Sequence, residues 1–464
     1  MIELIKNLFE HTTVALLGFG REGRSTYKLI RKVLPSKELT IIDENEKIIN
    51  DNTLRDDKHV KFIIGKDCMN RIDDFEIAVK SPGIPSNTLP AHLKRVTLSS
   101  QTDIFLQAYG SQVIGITGTK GKSTTSSLIY HILKNAGKNT LLVGNIGIPP
   151  FDCVNDIKPE TLVVMELSSH QLEYVSHAPH IAVLLNLFQE HLDHYYTYED
   201  YKSAKFNIGR YQSAADFFIY NHDNETLLQL IEKSGKQVHH SLSFSLQAGQ
   251  DTALCIDGEW IEMKYGNSEI KLYNISSGQP LKGHHNLYNI MAAATATYLA
   301  GVSPAQIDTA VKTFNGLAHR IERVGTFAGI VWYNDSIATI PEATIEAVKT
   351  LETVDTLILG GFDRGIEYGV LYPFLTQSDV SNIIFVGEAG RRMLKEFNES
   401  GHHDKHTFTA TDYRQVVDIA REHTQPGKIC LLSPAAASYD MFKNFEERGD
   451  TYKKNVRDLD PSHS

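Results

Sequence analysis

The sequence predicts an α/β fold of mainly parallel sheets, divided among three domains. Strand-like and helix-like stretches alternate along the whole chain, the pattern of sheets covered by helices. Its 464 residues suit three domains at about 150 residues each. Glycine-rich turns sit between a strand and a helix twice, near Gly18 and near Gly118, so the pattern restarts well inside the chain.

The first block, residues 1–109, opens with the apolar strand Val14 to Leu17, a glycine turn and a helix to about Val33. Strands Leu39 to Ile42, Lys61 to Ile64 and Ile77 to Val79 follow, the last leading into Ser81-Pro82-Gly83-Ile84-Pro85. The polar stretch Tyr109 to Gln112 reads as a linker. The second block, residues 110–318, begins with strand Val113 to Thr117 and a helix from about Lys122, followed by strands Leu162 to Met165 and Ile181 to Leu185. Leu242 to Ser277 reads as a β-rich, hairpin-like insertion. A helix from about Asn286 to Leu299 stops at Gly301, and Pro304 suits the first turn of the next. The third block, residues 319–464, has strands near Ile330 to Tyr333, Thr356 to Leu359, Ile383 to Val386 and Ile429 to Leu432, with helices between them. Pro341 fits a first helical turn, and Thr339 and Glu342 have capping-box spacing there.

Apolar residues make up 41% and charged residues 22%, the balance of a soluble globular protein. The net charge of -10 argues against nucleic acid as a partner, but leaves open a small anionic ligand that needs only local donors. Cys68, Cys153, Cys255 and Cys430 are scattered without a CxxC pair, which argues against a disulfide framework or structural zinc and fits a reducing cytoplasm. Met1 to Glu10 lacks a signal-peptide core, and no apolar run reaches ~18 residues, so a cytoplasmic protein without a membrane span is expected. The cluster His402, His403, His406 lies in a polar stretch and reads as a solvated loop rather than a metal site.

Gly18-Phe19-Gly20-Arg21-Glu22-Gly23 matches GxGxxG after a strand and before a helix, and Asp43 ends the next strand twenty residues beyond Gly23. Glycines let backbone approach a diphosphate, and a helix N-terminus favours negative charge. The loop therefore reads as a diphosphate-nucleotide site before it reads as an NAD site. Gly118-Thr119-Lys120-Gly121-Lys122-Ser123-Thr124 sits in the same context and reads as an ATP loop, although Ile116 breaks the strict GxxxxGK[ST] spacing. Backbone N–H groups would cradle phosphates, Lys122 would reach the transferred phosphoryl, and Ser123 or Thr124 would meet Mg²⁺. A dehydrogenase does not need the second loop, and a plain ATPase does not need the first. An NAD-dependent oxidoreductase and a non-catalytic nucleotide-binding protein remain as the alternatives.

Activating a carboxylate by phosphoryl transfer needs cations around the phosphates, so metal ligands are expected at strand ends near the ATP loop. Glu166 ends the strand Leu162 to Met165, and His191 follows the next strand in Gln189-Glu190-His191-Leu192-Asp193-His194. Either alone also suits a helix cap or a structural histidine.

These motifs together resemble the Mur ligases, in order and over essentially the whole chain. The resemblance is carried by Gly115 to Thr124, Gly144-Asn145-Ile146-Gly147, Glu166-Leu167-Ser168-Ser169, Asn186 to Tyr195, His285-Asn286 with Asn289, His319-Arg320-Ile321-Glu322 and Ser81-Pro82-Gly83-Ile84. The closing run, Leu432-Ser433-Pro434 to Phe445-Glu446-Glu447-Arg448-Gly449, resembles the glutamate-adding branch.

The resemblance implies a Rossmann-like N-terminal domain, a P-loop-type central ATPase domain and a Rossmann-like C-terminal domain. It implies an ATP-dependent ligase of peptidoglycan precursor synthesis that joins glutamate to UDP-N-acetylmuramoyl-L-alanine through an acyl phosphate; a monomer with no nucleic-acid or membrane partner is expected. Gly18, Phe19, Gly20, Arg21, Glu22, Asp43, Ser81, Gly83, Asn145, Ser168 and Gln171 would bind the UDP-linked substrate. Gly118 to Thr124 with Asn286, Asn289, Arg320 and Asp335 would bind ATP. Ser123, Glu166, His191 and Lys205 would serve two Mg²⁺ ions, Lys205 as a carbamate, and Lys122, His191 and Lys205 would be catalytic. Thr339, Arg364, Ser438, Tyr439 and Phe445 would hold glutamate. Two departures fall in that last pocket. Ile337 replaces the family lysine in Asp335-Ser336-Ile337-Ala338-Thr339-Ile340, and Gly360-Gly361-Phe362-Asp363-Arg364-Gly365 replaces Gly-Gly-Asp-Gly-Lys. A guanidinium fork is not equivalent to a point charge. D-glutamate is the expectation, and L-glutamate with later epimerisation is the alternative.

Overall fold

The computed structural model describes residues 1–90, 93–146, 148–190, 194–234, 240–247, 252–277, 281, 284–314, 316–401 and 405–460. The chain forms two compact units, Met1–Gln279 with His284–Phe314, and Pro280–Gly283 with Asn315–Ser464.

The first unit holds two sheets. One has five parallel strands in the spatial order Val60–Ile64, Leu39–Asp43, Val14–Leu17, Ile77–Lys80, Thr97–Ser99. Val14–Leu17 is buried at every position, as a central parallel strand covered on both faces must be. The other sheet has nine strands and runs from Ser268–Asn274 at one edge to Thr140–Gly144 at the other. Val113–Thr117 lies between Ile181–Leu184 and Leu162–Glu166, parallel to both and wholly buried. Leu254–Asp257, Trp260–Tyr265 and Ser268–Asn274 form an antiparallel meander. The expected hairpin-like segment is thus present, but it extends the main sheet through Ser241–Phe244 instead of standing apart from it. Unpaired backbone at the sheet edge gains partners by that extension.

Polar contacts, one of them buried, tie the two sheets of this unit together. Lys80 Nζ donates to Glu173 Oε2 at 2.9 Å, with both side chains almost fully buried. Ser25 Oγ donates to Asp152 Oδ1 at 2.7 Å.

The second unit has a six-stranded sheet in the order Glu322–Phe327, Ile330–Asn334, Ile429–Leu432, Val354–Gly360, Asn382–Val386, His406–Ala410. Only the first pair is antiparallel. Val354–Gly360 is buried throughout, whereas the edge strand His406–Ala410 is largely exposed. His406 therefore begins a strand rather than lying in a loop, and His402 and His403 fall outside the described residues. The expected capping box at Thr339 is not formed. The helix Pro341–Leu351 starts one residue later than the spacing implied, with Ile340 at its N-cap and no side-chain cap bond. Among the described residues no helix is long and apolar enough to cross a membrane.

Candidate active site

In the first unit, both glycine loops open at the C-terminal ends of central parallel strands, where ligands bind in open α/β sheets. The first loop and Lys122 of the second face one cavity of about 570 Å³. Gly18, Gly20, Arg21, Glu22 and Asp43 line it from the five-stranded sheet, joined by Ser81 and Gly83. Lys122, Asn145, Ser168, Gln171 and Lys205 line it from the nine-stranded sheet. Ten of the eleven residues expected around the UDP-linked substrate are thus brought together. Phe19 is the exception: its ring is buried against Tyr27, because the chain turns it into the core beneath the loop.

Asp43 acts on the loop itself. Its Oδ2 accepts from Phe19 N at 2.8 Å and its Oδ1 from Asn45 N at 2.8 Å, so both oxygens shape backbone. Gly23 is required for close approach, since a Cβ there would stand 2.2 Å from Gly18 O. Gly23→Ala should push the helix Arg21–Val33 off the loop. Overpacking of this kind costs about 1–3 kcal/mol, so the Michaelis constant for the UDP-linked substrate should rise about tenfold, while an unchanged constant in steady-state kinetics would remove the loop from the site.

At the second loop, Lys122 folds back, its Nζ donating to Gly118 O at 3.0 Å and Thr119 O at 2.9 Å. Thr119 is buried, with Oγ1 accepting from Phe188 N and bonded to Tyr201 Oη at 2.8 Å. Asn186 clamps Lys120 through both of its backbone groups. Ser123 and Thr124 lie in the first turn of the helix Lys122–Asn135. Asn289 is brought to the same helix, accepting from Thr125 Oγ1 at 3.2 Å and donating to Asn286 Oδ1 at 2.8 Å.

Glu166 is fully buried at the end of strand Leu162–Glu166. Asn145 Nδ2 donates to its Oε1 at 2.7 Å, and Oε2 meets no hydrogen-bond partner among the described residues. A buried carboxylate oxygen left over in this way fits a hard cation such as Mg²⁺. Lys205, on the helix Tyr198–Arg210, is also buried and donates to Gly118 O at 2.8 Å. Burial, and then repulsion by Lys122, hold its proton affinity far below that of a surface lysine. The amine is therefore held toward its neutral form. His191 lies outside the described residues. Among those residues no three His, Cys, Asp or Glu side chains gather as a metal cluster.

In the second unit, Asp335, the Gly360 to Gly365 turn and the Ser433 to Tyr439 loop gather at the ends of strands Ile330–Asn334, Val354–Gly360 and Ile429–Leu432. Asp335 accepts from Ser433 Oγ at 2.7 Å and from Ile321 N at 3.1 Å, and burial pushes its carboxyl up to about 7. Arg320 sits between His319 and Ile321, which both hold positive φ, a strained backbone for these residues. Arg364 lies over the exposed Tyr439 ring at 5.8 Å, and Ser438 is buried beside it in the chain. Phe445 begins the last helix, Phe445–Arg457, with its ring near His319. Thr339 is half-buried just before the helix Pro341–Leu351.

Sequence reasoning gave Arg448 no role. It is 1% exposed and all five N–H donors are used: Nε to Ser336 Oγ, Nη1 to Ala436 O and Ala437 O, Nη2 to Ser336 O and Ala436 O. It thereby ties the loop after Asp335 to the loop before Ser438. Gly361 closes the same corner, since a Cβ there would stand 2.2 Å from Ala437 O.

Residues 116–297 match the Mur ligase middle domain. The UDP-N-acetylmuramoylalanine–D-glutamate ligase of Acetivibrio thermocellus is 32% identical, with 98% of each chain covered. The chain belongs to the Mur ligase family. Proteins of the same name from Symbiobacterium thermophilum (36% identical, covering 86% of this chain and 88% of that one) and Streptococcus agalactiae (34%, 96% of each) are similarly related and place it in the glutamate-adding branch. Among solved structures, a UDP-N-acetylmuramoyl-L-alanyl-D-glutamate–2,6-diaminopimelate ligase aligns with TM-score 0.55 at 18% identity, over 92% of this chain and 93% of that one. The UDP-N-acetylmuramate–alanine ligase of Thermotoga maritima gives 0.53 at 18%, over 97% and 100%. Those two likenesses concern the Mur ligase fold alone.

Proposed function

We propose that this chain is an ATP-dependent ligase adding D-glutamate to UDP-N-acetylmuramoyl-L-alanine in peptidoglycan precursor synthesis. The single observation that carries the reading is the shared cavity: a diphosphate-type loop and a phosphate-loop lysine face one space. A UDP-tethered acid held by the first loop would present its free end to ATP held by the second. The name shared by the full-length relatives supports both the acceptor and the amino acid.

Gly18 to Glu22, Ser81, Gly83, Asn145, Ser168 and Gln171 bind the UDP-linked substrate. Gly118 to Thr124, with Asn286 and Asn289, bind ATP, and by the family motifs Arg320 and Asp335 also serve it. Thr339, Arg364, Ser438, Tyr439 and Phe445 serve glutamate. Lys122 turns from the carbonyls of its own loop to the phosphate being transferred. The L-alanyl carboxylate attacks the γ-phosphorus, the bond to the bridging oxygen breaks, and ADP leaves. The glutamate amine then attacks the acyl carbon, phosphate departs and the nitrogen loses a proton. Ser123, Glu166, His191 and carbamylated Lys205 would hold two Mg²⁺ ions, which supply neutralising charge to the phosphates. A neutral Lys205 amine is the form that can attack carbon dioxide to become that carbamate. Three domains, at 1–109, 110–318 and 319–464, a monomeric state and residence in the cytoplasm complete the proposal.

The test incubates the protein with ATP, Mg²⁺ and UDP-N-acetylmuramoyl-L-alanine, with D- or L-glutamate in separate reactions, and follows product mass and ADP. D-glutamate should yield one ADP for each new amide. Ile337 and Arg364 favour L-glutamate as a second reading, and product from L-glutamate alone would establish it. ADP-coupled amide from neither enantiomer would overturn the function.

A further inference from the structure

Glu22 is an odd residue for a diphosphate cradle. It stands in the first turn of the helix Arg21–Val33 and lines the shared cavity. Its Oε1 accepts from Gln171 Nε2 at 2.7 Å, and Oε2 is buried with no hydrogen-bond partner among the described residues. An enclosed acceptor without a donor is costly and calls for a partner in the complex. A carboxylate at this place would also repel a diphosphate, at the helix end that otherwise favours anions.

Both difficulties vanish if that oxygen carries a proton. We propose that Glu22 takes up a proton when the UDP-linked substrate binds and donates it, from Oε2, in a hydrogen bond to a diphosphate oxygen. The inference rests on the assignment of this cavity to that substrate. The proton comes from solvent and stays on Glu22 throughout the bound state, with no covalent bond made or broken elsewhere.

The surroundings agree. Burial raises the affinity of Glu22 for its proton, and the Gln171 amide, Arg21 and Lys80 offset this only in part. Gln101, from the helix Gln101–Tyr109, donates to the Glu22 backbone oxygen and not to its carboxyl. Lys80 is committed to Glu173, and Asp43, across the cavity, is committed to backbone N–H groups. An incoming diphosphate adds negative charge, which raises the proton affinity of Glu22 further. The sign follows: a group whose pKa rises on binding makes binding tightest below the free-protein pKa, and that gain is lost as pH climbs from there through the higher pKa of the complex. Gln171 also closes a capping box with Ser168, so Glu22 is held by the element that follows Glu166.

The test is calorimetric titration of the full-length protein with UDP-N-acetylmuramoyl-L-alanine, in paired buffers of different ionisation heat, from about pH 6 to 9. The phosphates of this diester do not titrate in that range. Wild type should take up a large fraction of a proton, with affinity falling by up to about tenfold per pH unit wherever uptake is seen. Glu22→Gln, which offers a permanent N–H donor, should bind with no proton uptake and a flat profile. Binding without uptake in wild type, or uptake that persists in Glu22→Gln, would overturn the proposal and leave the site standing. No binding at any pH would instead remove the assignment of the cavity.

Discussion

Lys122→Ala should abolish ligation, with ADP release coupled to amide falling roughly a thousandfold or more. The lysine is the one cation of the second loop that lines the shared cavity with Lys205. Its loss acts twice. The transferring phosphoryl loses a positive neighbour, for which water in an enclosed site is a poor substitute. Lys205 also loses the like charge that, after burial, does most to depress its proton affinity. Its amine would then hold a proton more readily and carbamylate less. Binding of UDP-N-acetylmuramoyl-L-alanine should change far less, because the loop Gly18 to Glu22 keeps its own contacts. Single-turnover kinetics with both readouts check this, and near-normal turnover would refute the role of Lys122.

The sequence located the two loops well because each is local. A strand, a glycine turn and a helix lie in consecutive residues, and Val14–Leu17 with Arg21–Val33, and Val113–Thr117 with Lys122–Asn135, stand where the pattern implied. Short strands were harder to read. Thr97–Ser99 has three residues, and Thr140–Gly144 is one apolar run whose length suits a strand or a helical fragment equally. Glu322–Phe327 pairs across a register shift near Arg323, which breaks any two-residue alternation. At the site, Glu166 and Asn145 were legible as motif positions, but their direct bond was not, because 21 residues separate them. The double use of Asp43 by backbone could not be seen either, since its spacing fits a ribose partner as well as a loop clamp. Arg448 was hidden for a different reason: an arginine amid Glu446, Glu447 and Lys453 reads as part of a solvated helix face.

Arg448→Ala should strongly destabilise the second unit. The arginine is closed off from solvent and bonds only to neutral oxygens, three of them backbone carbonyls. Truncation takes these donors from Ser336 O and Ala436 O while Ala437 O keeps Phe362 N, and each buried acceptor left unmatched costs about 1–3 kcal/mol. The melting transition should fall by roughly 10 °C in scanning calorimetry. Arg448→Lys separates architecture from pocket shape. It keeps the charge but presents three donors from one nitrogen, so it cannot span Ser336 and Ala437 together. The Asp335 and Ser438 loops would then drift apart at their ends. The Michaelis constant for glutamate should rise about tenfold, equivalent to about 1.4 kcal/mol, while the constant for the UDP-linked substrate stays within about twofold. A lysine variant that loses melting temperature but keeps its glutamate constant would show that Arg448 supports the fold without setting the pocket.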